Sequence, residues 1–124
     1  MKKLVLPIVF FILAGCYYDS EEALYGKPCT GVCDTSVTNF STQIKPILSS
    51  YCLTCHSNSV ALSSGGGIKL QDYANVKTYV DNGRLKGSIE HSSGFSAMPK
   101  GGGTLSSCDI SIINAWITKG ALND

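Results

Sequence analysis

The sequence predicts an all-α fold. Apolar residues recur at helical spacing in three separate stretches, and glycine-rich segments stand between them. No stretch of any length alternates polar and apolar residues as a half-buried strand does, and there are no internal repeats. About three helices with long glycine-rich loops between them are therefore expected.

The first helix begins near Phe40. Phe40, Ile44, Ile47 or Leu48, and Tyr51 share one face at a period of 3.6. Pro46 is tolerated only in a first turn, where amide hydrogens lack partners anyway. Thr42 as N-cap puts Pro46 at the edge of that turn, and an earlier start implies a kink. The helix runs straight into Cys52-Leu53-Thr54-Cys55-His56. A loop follows, ending in Gly65-Gly66-Gly67. It reads either as a close backbone approach to the edge of the group that residues 52–56 would bind or as a flexible connector. Asp72 is placed to cap the second helix, with Tyr73, Val76 and Val80 as its buried stripe and Asn82-Gly83 as its stop. Ser106 or Ser107 opens the third. Asp109 completes a capping box if Ser106 is the N-cap. Ile112, Ile113, Trp116 and Ile117 form its apolar face, and Gly120 is a natural C′ stop.

The N-terminus carries Lys2 and Lys3, an apolar run from Leu4 to Leu13, and small residues before a cysteine. That is an export signal, too short to span a bilayer as a helix, which takes ~20 apolar residues. Leu13-Ala14-Gly15-Cys16 resembles the lipobox of bacterial lipoproteins. The resemblance implies removal of residues 1–15 and lipid on Cys16. Several acyl chains would then hold the protein stably on a membrane. Residues 16–35 read as a lipidated flexible tether with an acidic cluster at Asp19, Glu21 and Glu22, and residues 36–124 as one small domain. The formal charge of +1 falls to −1 once Lys2 and Lys3 are gone. Neither value gives the concentrated basic face that a nucleic-acid partner needs. The lysines Lys45, Lys69, Lys77, Lys86, Lys100 and Lys119 and the arginine Arg84 are spread along the chain as a solvated surface.

The chemistry gathers at residues 52–56. Two thiols in C-x-x-C-H, followed at once by a histidine, form the signature of c-type haem attachment. It predicts one covalently bound haem c on Cys52 and Cys55, with His56 as the proximal iron ligand. The proximal histidine's other ring N–H needs a carbonyl or carboxylate, and no proline that would supply one lies between His56 and Pro99. For the sixth position the candidates are Met98, His91 or nothing. Met98 lies between Gly- and Ser-rich segments without periodic apolar neighbours, so core packing explains it poorly. Pro99 stiffens the loop that presents it. Of the remaining cysteines, Cys29, Cys33 and Cys108 are an odd number in a compartment where disulfides persist, so one is left over or pairs elsewhere.

Helix, CLTCH, loop, middle helix, Met98-Pro99-Lys100-Gly101-Gly102 and an aromatic C-terminal helix together resemble class I monohaem cytochromes c. The closer likeness is to small lipoprotein cytochromes of the Bacteroidota. It rests on CDTSVTNFSTQIKPIL, GGIKLQDYANV, GSIEHSSGFSAMPKGG and LSSCDISIINAWITKGALN, over residues 33–123. It implies a cytochrome c fold wrapped round one covalent haem, with the terminal helices crossing at Phe40, Ile44 and Trp116. Trp116 reads as core, with its indole N–H in reach of a haem propionate. The resemblance further implies Cys52 and Cys55 as thioether residues, His56 and Met98 as iron ligands, and a Cys33–Cys108 disulfide, with Cys29–Cys33 and Cys29–Cys108 as the alternatives.

The expected function is that of an electron carrier, not an enzyme. It moves single electrons between membrane or periplasmic oxidoreductases through a His/Met-ligated haem, on the periplasmic face of a membrane or at the surface of a Gram-negative cell. The alternative is a haem-based enzyme or small-ligand sensor with an open or displaceable sixth site, in which His91 is a distal polar group. A haem-free zinc site or dithiol is disfavoured. Zinc needs about four ligands, and a thioredoxin-like motif needs βαβ patterning.

Overall fold

The computed structural model describes residues 33–124. The readings for residues 1–32, which include the signal segment, Cys16, Cys29 and nearly all of the tether, lie outside the described residues. Among the described residues the structure is helical and contains no strand. None of these helices is long and apolar enough to cross a membrane.

The chain enters through a π-helical turn, Phe40–Ile44, that passes directly into α1, Lys45–Tyr51. Asn39, not Thr42, is the N-cap, and its side chain accepts a hydrogen bond from the Thr42 amide. Pro46 explains the wide turn. Its ring would press on the carbonyl of the residue four before it in an α-helix, and it has no N–H to give. The π turn moves the pairing back by one residue: Ile44 bonds to the Asn39 carbonyl and Lys45 to that of Phe40. The early start therefore carries its irregularity as a π turn.

Cys52 separates α1 from α2, Leu53–His56. A short helix unforeseen in the sequence, α3, spans Ala61–Ser64. Next come α4, Tyr73–Asp81, and a further unforeseen helix, α5, Arg84–Ile89, entered through Gly83 in the left-handed conformation. Asp72 stands at the N-cap of α4 without bonding to it. Its carboxylate accepts from the Asn58 side chain at 2.7 Å. The last helix, α6, is Ser107–Thr118. The Ser106 hydroxyl accepts from the Asp109 amide at 3.0 Å and donates to the Asp109 carboxylate at 2.7 Å. Gly120, at φ 99°, ends it.

The π turn packs on α6, α4 on α5, and α5 on α6. Ile44, Leu48, Val76, Ile113 and Trp116 are the largest fully buried side chains. Phe40 lies between Tyr73, edge-on at 5.2 Å, and Trp116 at 5.7 Å. The last residues stitch this corner shut. The Phe40 and Ser41 amides donate to Asp124, the Tyr73 hydroxyl to the Ala121 carbonyl, and the Trp116 indole to the Leu122 carbonyl at 2.9 Å. The indole is thus spent on main chain, which corrects the expectation that it reaches a propionate. A disulfide joins Cys33 to Cys108 across 75 residues, with 5.3 Å between their Cα atoms. It fastens the segment before the π turn to the first turn of α6.

Candidate functional site

The four residues singled out in the sequence, Cys52, Cys55, His56 and Met98, line one cleft of about 530 Å³. Its walls are mostly apolar, with Ile68, Leu70, Leu85, Ile89 and Leu105 contributing. Among the described residues, Arg84 and Lys100 are the Lys and Arg side chains that line it, and no carboxylate does. The Arg84 guanidinium stacks over the Tyr79 ring at 5.6 Å, a cation–π contact that holds the cation at the wall. Tyr51, also in the lining, is flanked by Asp109, whose negative charge and hydrogen bond both raise the phenol above its ordinary range.

Cys52, at the N-cap of α2, and Cys55 and His56, within it, stand in different settings. His56 is buried, Cys55 is exposed, and Cys52 is half-buried. Both thiols are free. Burial pushes the Cys52 thiol up to about 11, so at neutral pH it is protonated and a poor nucleophile. His56 is fixed through main chain on two sides. Its Nδ1 lies 2.9 Å from the Ile68 carbonyl, and its own carbonyl accepts from the Leu70 amide at 2.9 Å. A carbonyl only accepts, so Nδ1 carries the proton and the lone pair of the neutral ring is on Nε2. The orienting partner absent from the sequence reading is thus Ile68. No residue type signals it, because any residue at that position offers the same carbonyl.

Gly65 makes this fit possible. A Cβ there would lie 2.4 Å from the Cys55 carbonyl oxygen and 2.8 Å from His56 Nδ1. The glycine-rich loop approaches closely at Gly65, but what it approaches is the histidine and its helix, not the edge of a bound group as one of its two readings had it. Gly66 and Gly67 have positive φ and open space around them, so they turn the chain.

Met98 reaches the cleft from the segment after α5. Its amide donates to the Ser88 carbonyl at 3.0 Å, and its carbonyl lies 3.0 Å from His91 Nε2. The Met98–Pro99 peptide bond is cis. The Phe95 ring lies against Gly87 of α5, where a Cβ would meet ring carbons at 2.4 Å. His91 does not line the cleft.

The expectation of one covalently bound haem c is corrected here. Among the described residues, no group of three or more His, Cys, Asp and Glu side chains stands where it could hold a metal ion. The reason is visible in α2. Cys52, Cys55 and His56 are close in sequence, yet one side chain is half-buried, one exposed and one buried against Ile68, so they do not converge on a point. The structure supplies a cleft and its lining, not a metal centre made by these side chains. No family model, curated protein or solved structure matches the chain.

Proposed function

We propose that the chain is an exported, membrane-anchored carrier of single electrons, of the kind its likeness to class I cytochromes c implies, with the redox-active group seated in the cleft. The observation that carries this reading is that Cys52, Cys55, His56 and Met98 all line one mostly apolar cavity, although Met98 lies 42 positions beyond His56 in the chain. Two free thiols, an imidazole with its proton held on Nδ1 and a thioether line that cavity. The apolar walls disfavour the more highly charged redox form, and where that is the oxidised form they raise the reduction potential. Because His56 and the Met98 segment are fixed through main-chain hydrogen bonds, little has to rearrange when an electron arrives or leaves. The chain's own work is binding, positioning and tuning; no general acid, base or nucleophile is invoked. Lipid on Cys16 would keep the carrier beside membrane or periplasmic oxidoreductases.

The test is a redox titration of the full-length protein purified from membranes, followed by absorption. A reversible transition with a slope of about 59 mV per decade is expected for one electron. A slope near 30 mV, the two-electron signature of the Cys52/Cys55 dithiol, or no transition at all would overturn the proposal. Met98→Ala is expected to shift both midpoint and spectrum; if neither moves, Met98 does not serve the group.

A further inference from the structure

We infer that His91 is a positioning residue, a clasp that holds Met98 at the cleft. This rests on the reading that Met98 serves the group in the cleft. The geometry behind it is local and independent of what that group is. His91 sits just past the end of α5 with φ 55°, a left-handed conformation that few side chains adopt. Its ring Nε2 lies 3.0 Å from the Met98 carbonyl. A carbonyl oxygen only accepts, so His91 donates. The Met98 amide donates in turn to the Ser88 carbonyl at 3.0 Å. Both main-chain polar groups of Met98 are thus taken by residues at the end of α5, one by backbone and one by an imidazole. Positive φ at His91 and at Gly94 turns the chain back toward its own helix, and the Phe95 ring of the returning segment lies against Gly87.

This use of His91 differs from those the sequence suggests, a ligand or a distal polar group. The side chain is exposed and outside the cleft lining, and its Nε2 is engaged with the carbonyl of the residue it holds. It acts on the cleft only through Met98.

The test compares His91→Asn with His91→Gln in the full-length protein. Asn tolerates the left-handed backbone but places its amide where Nδ1 stands, too short to reach Met98. Gln places its amide nitrogen near the position of Nε2. Three quantities are read: the peroxide oxidation rate of Met98 by mass spectrometry, hydrogen exchange at the Met98 amide, and the midpoint potential. Loss of one such hydrogen bond corresponds to roughly a three- to tenfold change. Asn is expected to speed oxidation and exchange by that factor and to shift the midpoint, and Gln to restore all three toward the wild type. Oxidation and exchange within twofold of wild type in the Asn variant, or a Gln variant indistinguishable from a defective Asn variant, would overturn the clasp. A protein with no redox transition in any variant would sink the electron-carrier reading alone, because oxidation and exchange still decide the role of His91.

Discussion

Gly65 shows how much can depend on a missing side chain. A Cβ at this position meets the Cys55 carbonyl at 2.4 Å and His56 Nδ1 at 2.8 Å, and that nitrogen is already held by the Ile68 carbonyl. Gly65→Ala is therefore expected to cost about 1–3 kcal/mol, the usual range for overpacking, and to loosen the imidazole from Ile68. Chemical denaturation gives the first effect, and the chemical shifts of the His56 ring give the second. The two thiols differ at the same scale. With no group bound, Cys55, which is exposed, is expected to react with iodoacetamide before Cys52. The rate at Cys52 should keep climbing until pH approaches 11, where its thiolate finally forms. Mass mapping of the alkylated sites against pH checks both. The same displacement has a stability sign. The unfolded thiol ionises near its ordinary ~8.5 while the folded one stays protonated. The stability contributed is thus full below that value and is lost as pH rises toward 11.

Among the elements, α6 has the clearest local design. Ser106 and Asp109 bond reciprocally at its start, Gly120 ends it, and Ile113 and Trp116 carry its buried face. Ser106→Ala is expected to lower stability by about 1 kcal/mol, the usual cost of a lost N-cap. That change is readable as a shift in the denaturant midpoint with an unchanged slope. The opening of the first helix is governed differently. Pro46 cannot join a regular ladder, and the π turn from Phe40 to Ile44 is how the chain keeps Phe40 and Ile44 buried while accommodating the ring. α5 is a short helix whose inward residues, Leu85, Gly87 and Ile89, are small in number and spaced by two. It is joined to α6 through Lys86 and Asn114 at 3.0 Å, and through Asn114 and Glu90 at 2.8 Å. Helices of this length are marginal alone, so α5 owes its form to that packing.

For the whole molecule, the decisive links are those between distant parts of the chain. The Cys33–Cys108 disulfide closes a long loop that contains α1 to α5 and the cleft. In the chain-entropy picture such a bridge contributes roughly 4 kcal/mol. Cys33→Ser is therefore expected to lower the melting temperature substantially while leaving the helical signal in far-UV circular dichroism. Thermal melts of the variant and of the reduced wild type should agree; a melting temperature unmoved by both treatments would show that the bridge adds nothing. The corner where Phe40, Tyr73 and Trp116 meet closes the other end, held by hydrogen bonds to Ala121, Leu122 and Asp124.

The sequence by itself determined what depends on local pattern. The helical class, the cap at Ser106, the stop at Gly120 and the buried residues Phe40, Ile44, Ile47, Leu48, Ile113 and Trp116 follow from periodicity and from which backbone positions lack partners, whereas Tyr51, expected on the same face, is exposed. It also picked out Cys52, Cys55, His56 and Met98 as a set, because their residue types and spacing are chemically unusual. Only the tertiary structure decided how that set is arranged. The proton on His56 is placed by the Ile68 carbonyl, a group every residue carries, and so no side chain announced it. The place of Met98 is set by hydrogen bonds from His91 and to Ser88, across a segment with positive φ at His91 as well as at Gly94. The thiols of Cys52 and Cys55 and the His56 imidazole, close in the sequence, end in three different environments, which is why proximity along the chain did not amount to a metal centre. Main-chain partners and side-chain burial are properties of packing, and packing joins residues that the sequence leaves far apart.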